Sequence, residues 1–151
     1  MITAMGALRR VTQLLIVFAV VAGCERAGEA DLELTQTLTK AAEAVAPGQR
    51  LLLDKVVSQP WDQVLLFGPY TTVDLMKKAV SGDLPPALGR IQIERRDDVN
   101  AVVFLHCGMV AAVVALPRSV ADFPKSELMR PVPRTQAQLV RGASGVDFRW
   151  E

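Results

Sequence analysis

His106, the single histidine of a 151-residue chain, stands next to Cys107, and these are the residue types that carry nucleophilic catalysis or soft-metal ligation near neutral pH. A thiol beside an imidazole is half of a cysteine–histidine nucleophile, or two of the ligands of a zinc-type site. Successive side chains of a β-strand leave on opposite faces, and the apolar run around this pair reads as strand. The two are therefore expected neither to form a dyad nor to share one ion. Cys107 then reads as a small buried hydrophobe and His106 as a hydrogen-bonded residue near a hairpin tip. Asp97-Asp98 is the obvious carboxylate pair for acid and base work, but Asp is also at home in turns, where it bonds its own backbone. Lys77-Lys78 and Arg95-Arg96 read as solvated charge. Nothing in the chain matches a phosphate loop, a zinc pattern, a nucleophile elbow or a haem motif. No catalytic residue, metal or cofactor is assigned.

The elements that position these residues follow from apolar spacing. Leu34, Leu38, Ala41 and Val45 recur at i, i+4, i+7 and i+11, behind Asp31 and ahead of Pro47-Gly48, which predicts an amphipathic helix over 31–46. Leu51-Leu52-Leu53 opens a strand, Ser58-Gln59-Pro60 turns the chain, and residues 62–67 form a second strand that Gly68-Pro69 ends. Thr72 caps a second helix with Val73, Met76 and Val80 on one face. Residues 81–89, with two glycines and two prolines, are expected to be a loop. Ile91 and Ile93 alternate with Arg90, Gln92 and Glu94, the pattern of a strand with one wet face, and Asp97 to Asn100 reads as the next turn.

Residues 101–117 are the most hydrophobic stretch beyond the N-terminal region. A membrane span is the rival reading, but 17 residues holding a histidine and a central glycine fall short of the roughly 20 that a spanning helix needs. A hairpin turning at Gly108-Met109 fits better. It would pair Cys107 with Val110, Leu105 with Ala112 and Val103 with Val114, and set His106, Phe104 and Val102 on the other face with Ala111, Val113 and Ala115. Both faces are apolar, so the hairpin is central and covered on both sides. The expected fold is α+β: a small antiparallel sheet, a three-strand meander over 90–117, packed with two helices, and short terminal elements at 136–140 and 146–150.

The N-terminal region has a different grammar. Arg9 and Arg10 precede an uninterrupted apolar core, Leu14 to Ala22, and small residues lead to Cys24, the layout of an export signal. Val21-Ala22-Gly23-Cys24 resembles the lipobox of bacterial lipoproteins. That resemblance implies removal of residues 1–23 and acylation of Cys24, which multiple chains would make a stable anchor. An ordinary secretory signal and an uncleaved anchor helix are the alternatives. Without Arg9 and Arg10 the remaining 128 residues carry 15 basic and 16 acidic side chains. There is no clustered basic field, and nucleic-acid binding is set aside. Residues 24–30 form a polar tether reaching roughly 25 Å at full extension, followed by one domain over 31–151. Cys107 is left without an intramolecular disulfide partner.

The segment Trp61-Asp62, an aliphatic strand, then Phe67-Gly68-Pro69-Tyr70-Thr71 resembles the core of a family of small bacterial secreted proteins and lipoproteins of unknown function. The likeness extends more loosely to the hairpin ending in Leu116-Pro117-Arg118 and brings no catalytic residues. Trp61 and Tyr70 read as a structural corner or as an amphipathic aromatic surface for a partner. The expected function is a non-enzymatic binding or assembly accessory in the cell envelope. It is held to the membrane through Cys24 with its domain outside the cytoplasm, on the periplasmic side in a Gram-negative cell, next to an envelope protein or cell-wall component. The alternative is an envelope hydrolase or thiol-dependent enzyme using Cys107, His106 or Asp97/Asp98.

Overall fold

The computed structural model describes residues 31–151, so Cys24 and the readings made for residues 1–30 lie outside the described residues. Asp31 accepts a hydrogen bond from the Leu34 backbone N–H at 2.9 Å, meeting one of the donors that a helix start leaves unpaired. Helix α1 (Leu32–Ala44) follows and buries Leu34, Leu38 and Ala42, with Ala41 and Val45 at the margin of that stripe. Its far end is closed by one guanidinium: Arg141 Nη1 donates to the carbonyls of Ala42, Glu43 and Val45 at 3.2, 3.1 and 2.5 Å. A cation there also complements the negative end of the helix dipole.

Strand β1 (Arg50–Leu52) leads into a single helical turn, α2 (Leu53–Val56), so Leu53 leaves the expected strand and is buried from helical backbone. Strand β2 (Gln63–Phe67) and helix α3 (Val73–Val80) come next. Thr72 Oγ1 caps α3 by accepting from the Leu75 N–H at 3.4 Å. Met76 and Val80 are buried as expected, while Val73 lies at the surface.

The strand expected at 90–94 is a helix end. Helix α4 (Pro86–Ile91) begins inside the expected loop, with Pro86 at the first helical position, where the missing N–H costs nothing. Gln92 then takes a left-handed conformation, φ 54°, and a 3₁₀ turn spans Ile93–Arg95. Leu88 and Ile91 are buried at helical spacing, and the reversal at Gln92 returns Ile93 to the same cluster. A kinked helix end has produced an i, i+2 apolar pair.

Strands β3 (Val99–His106) and β4 (Met109–Pro117) form the central hairpin, followed by β5 (Val132–Pro133), β6 (Gln138–Arg141) and β7 (Phe148–Trp150). The fold is α+β with two antiparallel sheets, one in the order β4-β3-β2-β5 and one in the order β1-β6-β7. The meander is therefore β2-β3-β4. Its first strand lies before α3, not at residue 90.

The hairpin turns at Cys107-Gly108, one residue earlier than expected. Both residues have positive φ, 51° and 76°, the requirement of a two-residue turn whose twist matches the flanking strands. His106 pairs with Met109 and Leu105 with Val110; a bulge then leaves Ala111 unpaired, so that Phe104 faces Ala112, Val103 faces Val113 and Val102 faces Val114. This replaces the expected pairing of Leu105 with Ala112 and Val103 with Val114.

Both faces of the four-stranded sheet are covered, as its doubly apolar strands require. Val64, Leu66, Val102, Phe104, Ala112 and Val114 pack with α1 and the small sheet, including Leu38, Leu139 and Phe148. Leu65, Phe67, Val103 and Leu105 pack with α3 and α4 through Met76, Val80, Leu88 and Ile91. Each such Leu or Phe contributes about 1.5–3 kcal/mol of transfer free energy. Residues 101–117 are strands joined by a tight turn, and no helix among the described residues is long and apolar enough to cross a membrane.

Candidate functional site

His106 and Cys107 meet, contrary to the sequence expectation. Alternation of side chains holds only within a strand, and Cys107 has left it: its left-handed backbone swings the thiol back toward the preceding residue. Cys107 Sγ lies 3.8 Å from His106 Nε2, and both residues are exposed, so Cys107 is not a core hydrophobe. A non-glycine residue held in this conformation costs on the order of 1–3 kcal/mol, and such strain concentrates at functional sites.

Asp62 completes the group. Its Oδ2 accepts the Cys107 backbone N–H at 2.6 Å and lies 3.6 Å from His106 Nδ1, an ion-pair distance too long for a hydrogen bond. The Asp62 backbone is held on both sides: its N–H donates to the Leu105 carbonyl and its own carbonyl accepts from the Arg134 N–H, each at 2.8 Å. The carboxylate thus projects from a strand start locked into the sheet. One ligating atom from each of Asp62, His106 and Cys107 lies within 4.8 Å of the others, the one such His, Cys, Asp or Glu trio among the described residues. Sequence reasoning missed Asp62. Its signal was present in the Trp61-Asp62 pair, but the 43 positions between it and His106 hide the contact until β2 is registered against β3.

The arrangement has the order thiol, imidazole, carboxylate, which suits either nucleophile activation or metal ligation. It sits at the hairpin tip, with the His106 and Asp62 side chains 51% and 47% exposed.

Asp97-Asp98 is elsewhere and occupied. Arg96 donates to Asp98 through Nε at 2.8 Å and Nη2 at 2.6 Å, and this guanidinium holds the Asp98 carboxyl below its ordinary value. The Asp97 carbonyl accepts from Arg118 Nη1 at 2.8 Å. Arg118 also binds Asp122 through Nε at 2.9 Å and Nη2 at 2.6 Å. Those bonds, against a desolvation that works the other way, lower the Asp122 carboxyl.

Trp61 and Tyr70 lie beyond opposite ends of β2 and do not share a surface. Trp61 is 3% exposed, packs edge-on against Phe104 with ring centroids 5.2 Å apart, and lies beneath the Arg134 guanidinium at 5.0 Å. Tyr70 is 61% exposed with φ 62°, an outlier for a bulky side chain. The corner around it explains the Phe-Gly-Pro-Tyr-Thr sequence. Thr71 Oγ1 donates to the Gly68 carbonyl at 2.7 Å, the Tyr70 N–H donates to the Ile93 carbonyl at 2.8 Å, and a Cβ on Gly68 would stand 2.5 Å from Leu128 Cδ1. Val73, Leu75 and Met129 are also exposed, and Met129 is tied to the same strand end by its N–H bond to the Leu66 carbonyl.

Compared with known protein families, curated proteins and solved structures, the chain finds no match.

Proposed function

We propose that the protein is an envelope lipoprotein, anchored through acylated Cys24, whose α+β domain is a non-enzymatic binding or assembly accessory. The observation that carries this reading is the box Val21-Ala22-Gly23-Cys24 placed seven residues before the Asp31 cap where the described domain begins. A tether of that length keeps the domain within roughly 25 Å of a bilayer, where an envelope protein or cell-wall component is its natural partner. Tyr70 supports the binding role, being a large exposed aromatic kept in a costly backbone conformation. Trp61, buried, serves that surface only through the fold. In living cells, wild type should incorporate labelled palmitate and Cys24→Ser should not. In-cell crosslinking should recover one defined envelope partner, with yield falling in Tyr70→Ala; undiminished labelling in the serine variant removes the anchor, and recovery of the monomer alone removes the partner.

A thiol-dependent enzyme is the second reading, favoured by the 3.8 Å contact of Cys107 with His106 and the approach of Asp62. An activated thiolate reacts rapidly with an alkylating probe at low pH. Fast labelling of Cys107 that His106→Gln abolishes would select the enzyme, and slow labelling insensitive to that change would select the binding module.

A further inference from the structure

We infer that the hairpin tip binds one divalent ion of the Zn²⁺ type, held by Cys107 Sγ, a ring nitrogen of His106 and the Asp62 carboxylate, with a fourth position open to solvent or to a donor from a partner. The inference does not rest on the lipid anchor.

The donor set selects the ion. A thiolate and an imidazole are poor ligands for Mg²⁺ or Ca²⁺, which take oxygen, while one sulfur, one nitrogen and one carboxylate oxygen suit a borderline tetrahedral cation. Bond lengths of about 2.0–2.3 Å place ligand atoms of such a site about 3.3–3.8 Å apart. The trio here spans up to 4.8 Å, with thiol and imidazole already at 3.8 Å. Closing the remaining distance, about 1 Å against those bond lengths, needs only χ rotations of exposed side chains, with no movement of the packed strands.

The surroundings are arranged as the outer partners of a metal site are. The Cys107 N–H holds Asp62 Oδ2 at 2.6 Å, and Oδ1 has no hydrogen-bond partner among the described residues, so it is the oxygen assigned to the ion. Both backbone bonds of Asp62 fix where the carboxylate starts, and the left-handed turn aims the thiol. Binding exchanges the thiol proton for the ion, with the proton released to solvent. Three protein ligands on an exposed tip leave the ion able to exchange, which suits capture, transfer or bridging to a partner more than structural support. Met109, paired with His106 across the turn and 67% exposed, is a soft donor that would shift preference toward Cu(I).

The test uses the full chain carrying Cys24→Ser, reduced, so that Cys107 is the only thiol. Titration with Co²⁺, a spectroscopic stand-in for Zn²⁺, should give one equivalent bound with a thiolate-to-cobalt charge-transfer band and four-coordinate d–d bands, which Zn²⁺ abolishes. Cys107→Ser should remove the charge-transfer band. His106→Gln and Asp62→Asn should each weaken binding by at least the roughly 10–100-fold that losing even an outer partner costs. The amide introduced by Asp62→Asn keeps an acceptor for the Cys107 N–H, so an unchanged melting curve separates lost ligation from lost structure. Three results would overturn the site: no charge-transfer band in the starting protein, a band unaffected by either His106→Gln or Asp62→Asn, or binding of Cu(I) that needs Met109 but not Asp62. Because this chain cannot be acylated, failure here leaves the anchor untouched, and failure of palmitate labelling leaves the metal site untouched.

Discussion

Beyond the Phe67 end of β2, the carboxylates of Asp98 and Asp122 each close two hydrogen bonds with an arginine. At the Gln63 end, the Asp62 carboxylate meets an imidazole and a backbone N–H. Bidentate pairing with arginine saturates a carboxylate and holds it ionised, which is structural work. A carboxylate with no arginine partner among the described residues, beside a thiol and an imidazole, keeps its chemistry available. Each end also displays an exposed non-glycine residue in left-handed backbone, Tyr70 at one and Cys107 at the other. The first presents an exposed aromatic ring and the second a thiol beside an imidazole, so the proposed contact surface and the proposed ion site lie one strand length apart.

Four substitutions put that contrast at risk. Trp61→Ala should cost about 3–5 kcal/mol in denaturant unfolding, the usual loss for a buried aromatic, because Trp61 supports Phe104 beneath the Asp62 end; a loss under about 1 kcal/mol, the range of surface positions, would return Trp61 to the surface. Asp122→Asn should cost about 1.5–3 kcal/mol near pH 7, as for other hydrogen bonds to charged groups. Its folded carboxyl is depressed below the ordinary 3.8. The stabilisation is thus fully present above that value and lost as pH falls through the lower folded value. The gap between wild type and Asp122→Asn in acid titrations should therefore stay constant down to about pH 5 and close below about pH 4. Cys107→Asn should raise stability by up to about 1 kcal/mol, since Asn-Gly suits this turn, while abolishing thiol chemistry; a melting point that falls would show that the thiol contacts matter to the fold. Tyr70→Ala should leave the unfolding free energy within about 0.5 kcal/mol, as for exposed positions, so that any loss of crosslinked partner is a binding effect.

The parts legible in the sequence are those where one local pattern decides the outcome. Thr72 was readable as a cap and Asp31 as a helix start, because a side-chain oxygen three residues before a free N–H acts locally. The doubly apolar strands around residue 104 correctly implied cover on both faces. Reading failed where backbone left the right-handed and extended regions. Gln92 in left-handed backbone made a helix end look like a strand, and Cys107 in the same region defeated the alternation that had kept thiol and imidazole apart. The bulge at Ala111 moved the register by one residue, and no residue type there announces it. Asp62 and Arg141 were invisible for a different reason. Their partners lie 45 and about 96–99 positions away, and only sheet registration brings them together.

Strand β4 is the outer strand of its sheet and runs nine residues, Met109–Pro117, almost all aliphatic. A long apolar edge is a template for intermolecular strand addition and aggregation. Midway along it, the Val113 carbonyl is taken by the Asp31 N–H at 3.3 Å, and α1 then lies over the strand. Asp31 and the helix it caps thus double as the guard of an edge otherwise open to strand addition, so the first residues of the described domain both start its fold and keep copies of it apart.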